Sequence, residues 1–175
     1  MGLVIRFALL VLFVVSSAAL HLGISFLLPY PFNKINIIFV IVLFFILRGS
    51  SGAIVWFSFL LHYLIELYAT SPFGVILFSG TMSTLAIYTL SHSMFSSAKP
   101  TVALGLATTG MLVYRTIYSG ALFLAHFILD IPLNLGPQLI KLYAWELFLT
   151  TILVFLVYSA SIYFGGTKPT AHPHI

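Results

Sequence analysis

Glu66, Asp130 and Glu146 are the only three carboxylates in the chain, set against seven Lys/Arg side chains and six histidines. Acid, base or ion-ligand chemistry has to draw on this small set. His62 and Glu66 stand four residues apart, on one face of a helix, near enough to share a hydrogen bond or to offer two ligands to a metal. A metal site needs further ligands and none is evident, so neither a metal nor any other cofactor is expected. His172 and His174 sit in a short polar tail that reads as flexible chain. Motifs that announce catalysis are missing: there is no G-x-S-x-G elbow, no H-E-x-x-H, no phosphate-binding loop and no closely spaced pair of acids. A nucleophile, a base and an orienting group cannot be assembled from what is present, and a non-catalytic role is expected. Cysteine is absent, which removes disulfides and thiol chemistry.

The notable feature is charge placed inside apolar sequence. Glu66 lies in Ala53–Gly74, AIVWFSFLLHYLIELYATSPFG, where a carboxylate costs up to roughly 3 kcal/mol on membrane-insertion scales and so needs polar neighbours. Ser58, His62, Glu66 and Thr70 follow at i+4 steps and form one polar stripe, which predicts that this face meets other helices. Arg115 lies near the middle of a second apolar run. Thr101, Gly105, Thr108, Leu112, Arg115, Ser119, Leu122 and His126 repeat at steps of four and three, the spacing of a buried helix seam, which predicts an inward Arg115 and His126. At about 1.5 Å per residue Glu66 and Arg115 each lie roughly 20 Å from their helix starts, so the two are expected to pair.

The elements that must hold these groups follow from composition. With 61% hydrophobic and 6% charged residues among 175, the chain reads as an all-α integral membrane protein. Its length allows about six spans of roughly 20 residues, a compact six-helix bundle in one domain over residues 1–166 with a tail at 167–175. The first span is expected over Leu3–Leu28. Its Ser16–Ala19 run resembles a signal-peptide cleavage site, but the apolar character continues to Leu28, as in a full span. The second is expected from Asn33, as N-cap, to Leu47, and the third over Ala53–Gly74. The fourth, Phe73–Ser97, has Ser79/Ser83 and Gly80/Thr84 spaced for close helix packing. The fifth ends near Leu129. After the breakers of residues 130–136, Pro137 opens the sixth, with Tyr143 and Trp145 as headgroup-level anchors and Glu146 early in the helix, where the dipole tolerates an acid. Arg6, Arg48, Lys99 and Lys168 fall on one side and Lys34 and Lys141 on the other, which predicts cytoplasmic termini. Basic residues scattered in this way form no patch for nucleic acid.

Asn36 at the start of the second span, the segment His62-Tyr63-Leu64-Ile65-Glu66, and Pro72-Phe73-Gly74 six residues after the acid together resemble a known pattern. It is that of the rod shape-determining membrane protein MreD family, over roughly Pro31–Ser97. Family members have Gly and Asp where this chain has His62 and Glu66, so the chain resembles a diverged member. The resemblance implies a scaffold of the cell-elongation and peptidoglycan-synthesis machinery in the bacterial inner membrane. Its partners would be membrane lipids, an MreC-like single-span protein, a RodA-type polymerase and its penicillin-binding protein. Two alternatives stay open: the substrate-binding component of an energy-coupling-factor vitamin transporter, whose outer pocket Glu66, Arg115 and His126 would line, and a small multi-span membrane protein of another kind.

Overall fold

A computed structural model describes residues 2–94, 100–130 and 137–165. Six α-helices, α1 (Leu3–Leu27), α2 (Ile37–Leu47), α3 (Ala53–Glu66), α4 (Val75–Met94), α5 (Pro100–Leu129) and α6 (Pro137–Gly165), and a 3-10 turn at Phe32–Lys34 make up the fold, with no strand among the described residues. The expected flexible tail, 167–175, lies outside the described residues.

Four helices, α1, α4, α5 and α6, are long and apolar enough to cross a membrane. The other two are shorter than expected. α2 has 11 residues and α3 has 14, about 16 Å and 21 Å of helix against a hydrocarbon core of about 30 Å. Asn33 does not begin α2. It lies in the 3-10 turn, and the cap falls to Asn36, whose Oδ1 accepts the Phe39 N–H at 3.1 Å. α3 stops at Glu66 itself, so the polar stripe ends there and Thr70, exposed, lies beyond the helix.

α2 is apolar on every face, which predicts a helix surrounded by protein. Seven of its residues, Ile37, Ile38, Phe39, Val40, Val42, Leu43 and Ile46, are buried. It packs against each of the other five helices, which follow one another around it in the order α1, α3, α4, α5, α6. The 3-10 turn touches both α1 and α6 and closes the ring. Short helices with irregular flanks are tolerated at membrane depth when protein covers them.

Helix directions follow from the bonds between them. The Asn36 N–H donates to Thr150 Oγ1 (2.9 Å) and Arg48 Nη2 donates to the Ser161 carbonyl (3.3 Å), so α2 and α6 run parallel. Ser58 meets Thr84, and Glu66 meets Leu77, so α3 and α4 run antiparallel. The α3–α4 seam is tight because its hydroxyls satisfy one another. Thr84 donates to the Gly80 carbonyl (2.9 Å), which leaves Ser58 as the donor to Thr84 (2.7 Å). Ser79 and Ser83 likewise bond backbone carbonyls of their own helix. The small-residue spacing expected in the fourth span therefore serves packing.

The seam expected on α5 is displaced. Its buried face is Ala103, Leu106, Ala107, Gly110, Met111 and Tyr114, while Thr101, Gly105 and Leu112 are exposed. Thr108 and Thr116 donate to the carbonyls of Leu104 and Leu112 (both 2.9 Å), and a hydroxyl bonded to its own helix loses little by facing outward. Apolar volume and close-packing glycine then decide which face is buried.

His62 is accommodated from the opposite helix. A Cβ built on Gly80 would lie 2.1 Å from His62 Cδ2 and 2.3 Å from Nε2, so the imidazole rests directly on the Gly80 backbone. Gly80→Ala is expected to destabilise the fold by about 1–3 kcal/mol. The same change made in His62→Gly should cost less than half as much, read from thermal melts in detergent; equal costs in both backgrounds would contradict this contact.

Candidate functional site: a polar cavity at the end of the bundle opposite the N-terminus

At the end of the bundle opposite the N-terminus the ends of α1, α2, α3, α4 and α6, the 3-10 turn and the middle of α5 surround a group of ionisable side chains. Arg115 on α5 forms an ion pair with Glu146 on α6; their side chains are only 17% and 6% exposed. Glu146 Oε1 also accepts from Asn36 Nδ2 at 3.4 Å, a long bond. Asn36 thus has three roles, capping α2 through Oδ1, reaching Thr150 through its backbone N–H and reaching Glu146 through its amide. The Arg115 guanidinium lies 4.2 Å from the ring centre of Tyr143, 5.2 Å from that of Tyr114 and 5.3 Å from that of Tyr118. Three electron-rich faces and one carboxylate around the guanidinium offset its desolvation.

The expected pairing of Glu66 with Arg115 is not what forms. Glu66 instead caps α4: its Oε2 accepts the Leu77 N–H at 2.5 Å. Phe78 N–H donates to the Gly74 carbonyl (2.9 Å), which makes Gly74 the residue that opens α4 and puts Leu77 among the first amides lacking an intrahelical partner. A carboxylate there meets both a donor and the positive end of the helix dipole. Pro72, Phe73 and Gly74 bring that helix end back over the acid, and Gly74 has φ +97°, a left-handed conformation that glycine adopts without strain. The acid-to-turn spacing is thereby a capping device, with Glu66 Oε1 left without a partner.

Beside the ion pair is a cavity of about 460 Å³ whose walls include His21, Asn33, Lys34, Asn36, His62, Arg115, Tyr118, Tyr143 and Glu146. Of the three residues expected to line a pocket, Arg115 does so, whereas Glu66 and His126 are not among the lining residues. His126 lies further along α5, its ring 5.6 Å from that of Phe127. No group of three or more potential metal ligands occurs among the described residues.

Glu146 has a role that its sequence position did not reveal: it is an ion-pair partner rather than an acid tolerated by its own helix dipole, and Tyr143 lies against the same guanidinium. A signal was available: Glu146 and Thr150 repeat the i, i+4 polar stripe seen on α3, and both are buried. In comparison with known proteins, the chain matches no family model, no curated protein and no solved structure. Its all-helical fold and four long apolar helices are consistent with a membrane protein.

Asparagine and aspartate cap helices about equally well, so exchanging them separates capping from the contact with Glu146. Asn36→Ala is expected to cost about 1–2 kcal/mol through loss of the cap. Asn36→Asp, a competent cap that sets a second carboxylate beside Glu146, should melt at a lower temperature than Asn36→Ala. A melt at or above that of the parent would show that Asn36 acts as a cap alone.

Proposed function

We propose that the chain is a non-catalytic scaffold of the bacterial inner membrane, similar in role to MreD. It would cross the membrane six times with both termini in the cytoplasm and hold an MreC-like single-span protein near a RodA-type polymerase and its penicillin-binding partner. The observation that carries this reading is the use of the residues that resemble the MreD pattern. Asn36, Glu66, Pro72 and Gly74 all serve to join helices: Asn36 ties α2 to α6, and Glu66 with the Pro72–Gly74 turn ties α3 to α4. A pattern of this kind preserves the shape of a bundle, which is what a scaffold presents. Large apolar side chains on the outer faces, among them Phe7 and Leu12 on α1, Trp56 on α3 and Phe123 and Phe127 on α5, offer surface to lipid and to partner helices.

The positions of Arg6 and Arg48 at one end and Lys34 and Lys141 at the other support the orientation. In this reading α2, surrounded by the other helices, and α3, with Trp56 on its outer face, complete their crossings with the flanking turns. Reporter fusions after Lys34 and after Asp130 should read external, and a cytoplasmic signal at either would overturn the topology.

The cavity favours a second reading, the substrate-binding component of an energy-coupling-factor transporter. Co-purification from native membranes in mild detergent separates the two. The scaffold reading expects MreC-like and penicillin-binding proteins, and recovery of ATPase subunits in their place would replace it with the second.

A further inference from the structure

We infer that the cavity between the 3-10 turn, α5 and α6 binds a small ring-bearing molecule with one anionic group and a hydrogen-bond donor. This goes beyond the scaffold reading and states the ligand chemistry that the transporter reading leaves open.

Size sets the first limit on a ligand. At about 460 Å³ the space is far larger than a single water needs and falls in the range of pockets for small organic ligands, about 300–1,000 Å³. It is too small for a lipid with its acyl chains. Charge comes next. Lys34 and Arg115 face the cavity with Glu146 as the only carboxylate in its lining, leaving one positive charge in excess, and Lys34 is half-buried with no carboxylate partner among the described residues. A partly desolvated lone cation favours an anion beside it.

Unmet hydrogen bonds supply the remaining chemistry. His21 Nδ1, Arg115 Nε, Tyr143 Oη and Asn33 Oδ1 are buried without a partner, although all four belong to residues of the cavity wall. Buried polar atoms are seldom left unpaired, since each costs about 1–3 kcal/mol. Arg115 and Tyr143 can donate to a carboxylate or phosphate, whereas the Asn33 carbonyl oxygen can only accept and calls for an N–H or O–H. The wall also includes apolar and aromatic side chains, among them Ile38, Leu142 and Tyr118, which suits a flat ring better than an extended polar chain.

4-Aminobenzoate has this combination, so it is the probe, with benzoate lacking the donor, 4-aminobenzamide lacking the charge, and inorganic phosphate lacking the ring. Equilibrium dialysis of the full chain in nanodiscs of neutral lipid should show saturable one-to-one uptake of 4-aminobenzoate at millimolar concentration or below. Binding should be about tenfold weaker for benzoate and for 4-aminobenzamide, as expected for one lost charge-assisted or buried hydrogen bond. Lys34→Gln and Tyr143→Phe, each checked for a parent-like melt, should weaken uptake to a similar degree. The inference is overturned by unsaturable uptake, by equal uptake of acid and amide, by displacement with phosphate as effective as with benzoate, or by folded variants that bind like the parent. It is equally overturned if nanodiscs of anionic lipid abolish uptake, because the cavity would then take a lipid headgroup. Dialysis reads the ligand and co-purification reads the partners, so either proposal can fail without the other.

Discussion

Two opposite charges held between α5 and α6, away from bulk solvent, govern how this chain packs. Removing one partner of such a pair costs about 3–5 kcal/mol because the other is left buried and uncompensated, whereas replacing both by apolar groups can be neutral. The pair is therefore better understood as a device that selects one arrangement than as a source of net stability. Arg115 has to reach Glu146, which fixes the rotation of α5 relative to α6. Tyr114, Tyr118 and Tyr143 then fill the space around the guanidinium. Asn36, bound to Glu146 and Thr150 on one side and to the first turn of α2 on the other, transmits that placement to the central helix.

A second constraint acts beside it. In an apolar surrounding, backbone groups at helix ends have few partners, and a bundle with two short helices has many such ends. The chain answers with side chains from neighbouring elements: Asn36 for α2, and Glu66, folded over by the Pro72–Gly74 turn, for α4. Buried Ser79, Ser83 and Thr84 return their protons to carbonyls of their own helix, which lets small residues line close contacts such as that between Gly80 and His62. The polar cavity lies where these ends converge, because the helix ends and the charged pair leave space that apolar side chains do not fill.

The helical fold was legible because apolar length and punctuation are strong signals: α1 and α6 begin and end within a residue or so of where Leu3, Leu28, Pro137 and Phe164 place them. Helix length inside the bundle was harder to read, since an apolar run such as 33–47 looks the same whether it spans lipid or ends early under other helices. The α5 seam was misplaced because small and hydroxyl residues look like contact residues in sequence, while the internal bond of Thr108 frees it to face outward. Glu66 and Arg115 were rightly singled out as groups that need partners. Their partners were misassigned because depth along a helix does not fix rotation about it, and because the helix dipole offered Glu66 a donor that no side-chain inventory contains.

The central claim, that Arg115 belongs to Glu146 and not to Glu66, is open to a pair of double-mutant cycles on unfolding free energy. Glu146→Gln with Arg115→Gln should show coupling of about 1–3 kcal/mol, the double variant being far less damaged than the sum of the singles. Glu66→Gln with Arg115→Gln should be additive within about 0.5 kcal/mol. Additive losses at Arg115 and Glu146, or stronger coupling of Arg115 to Glu66, would contradict the account.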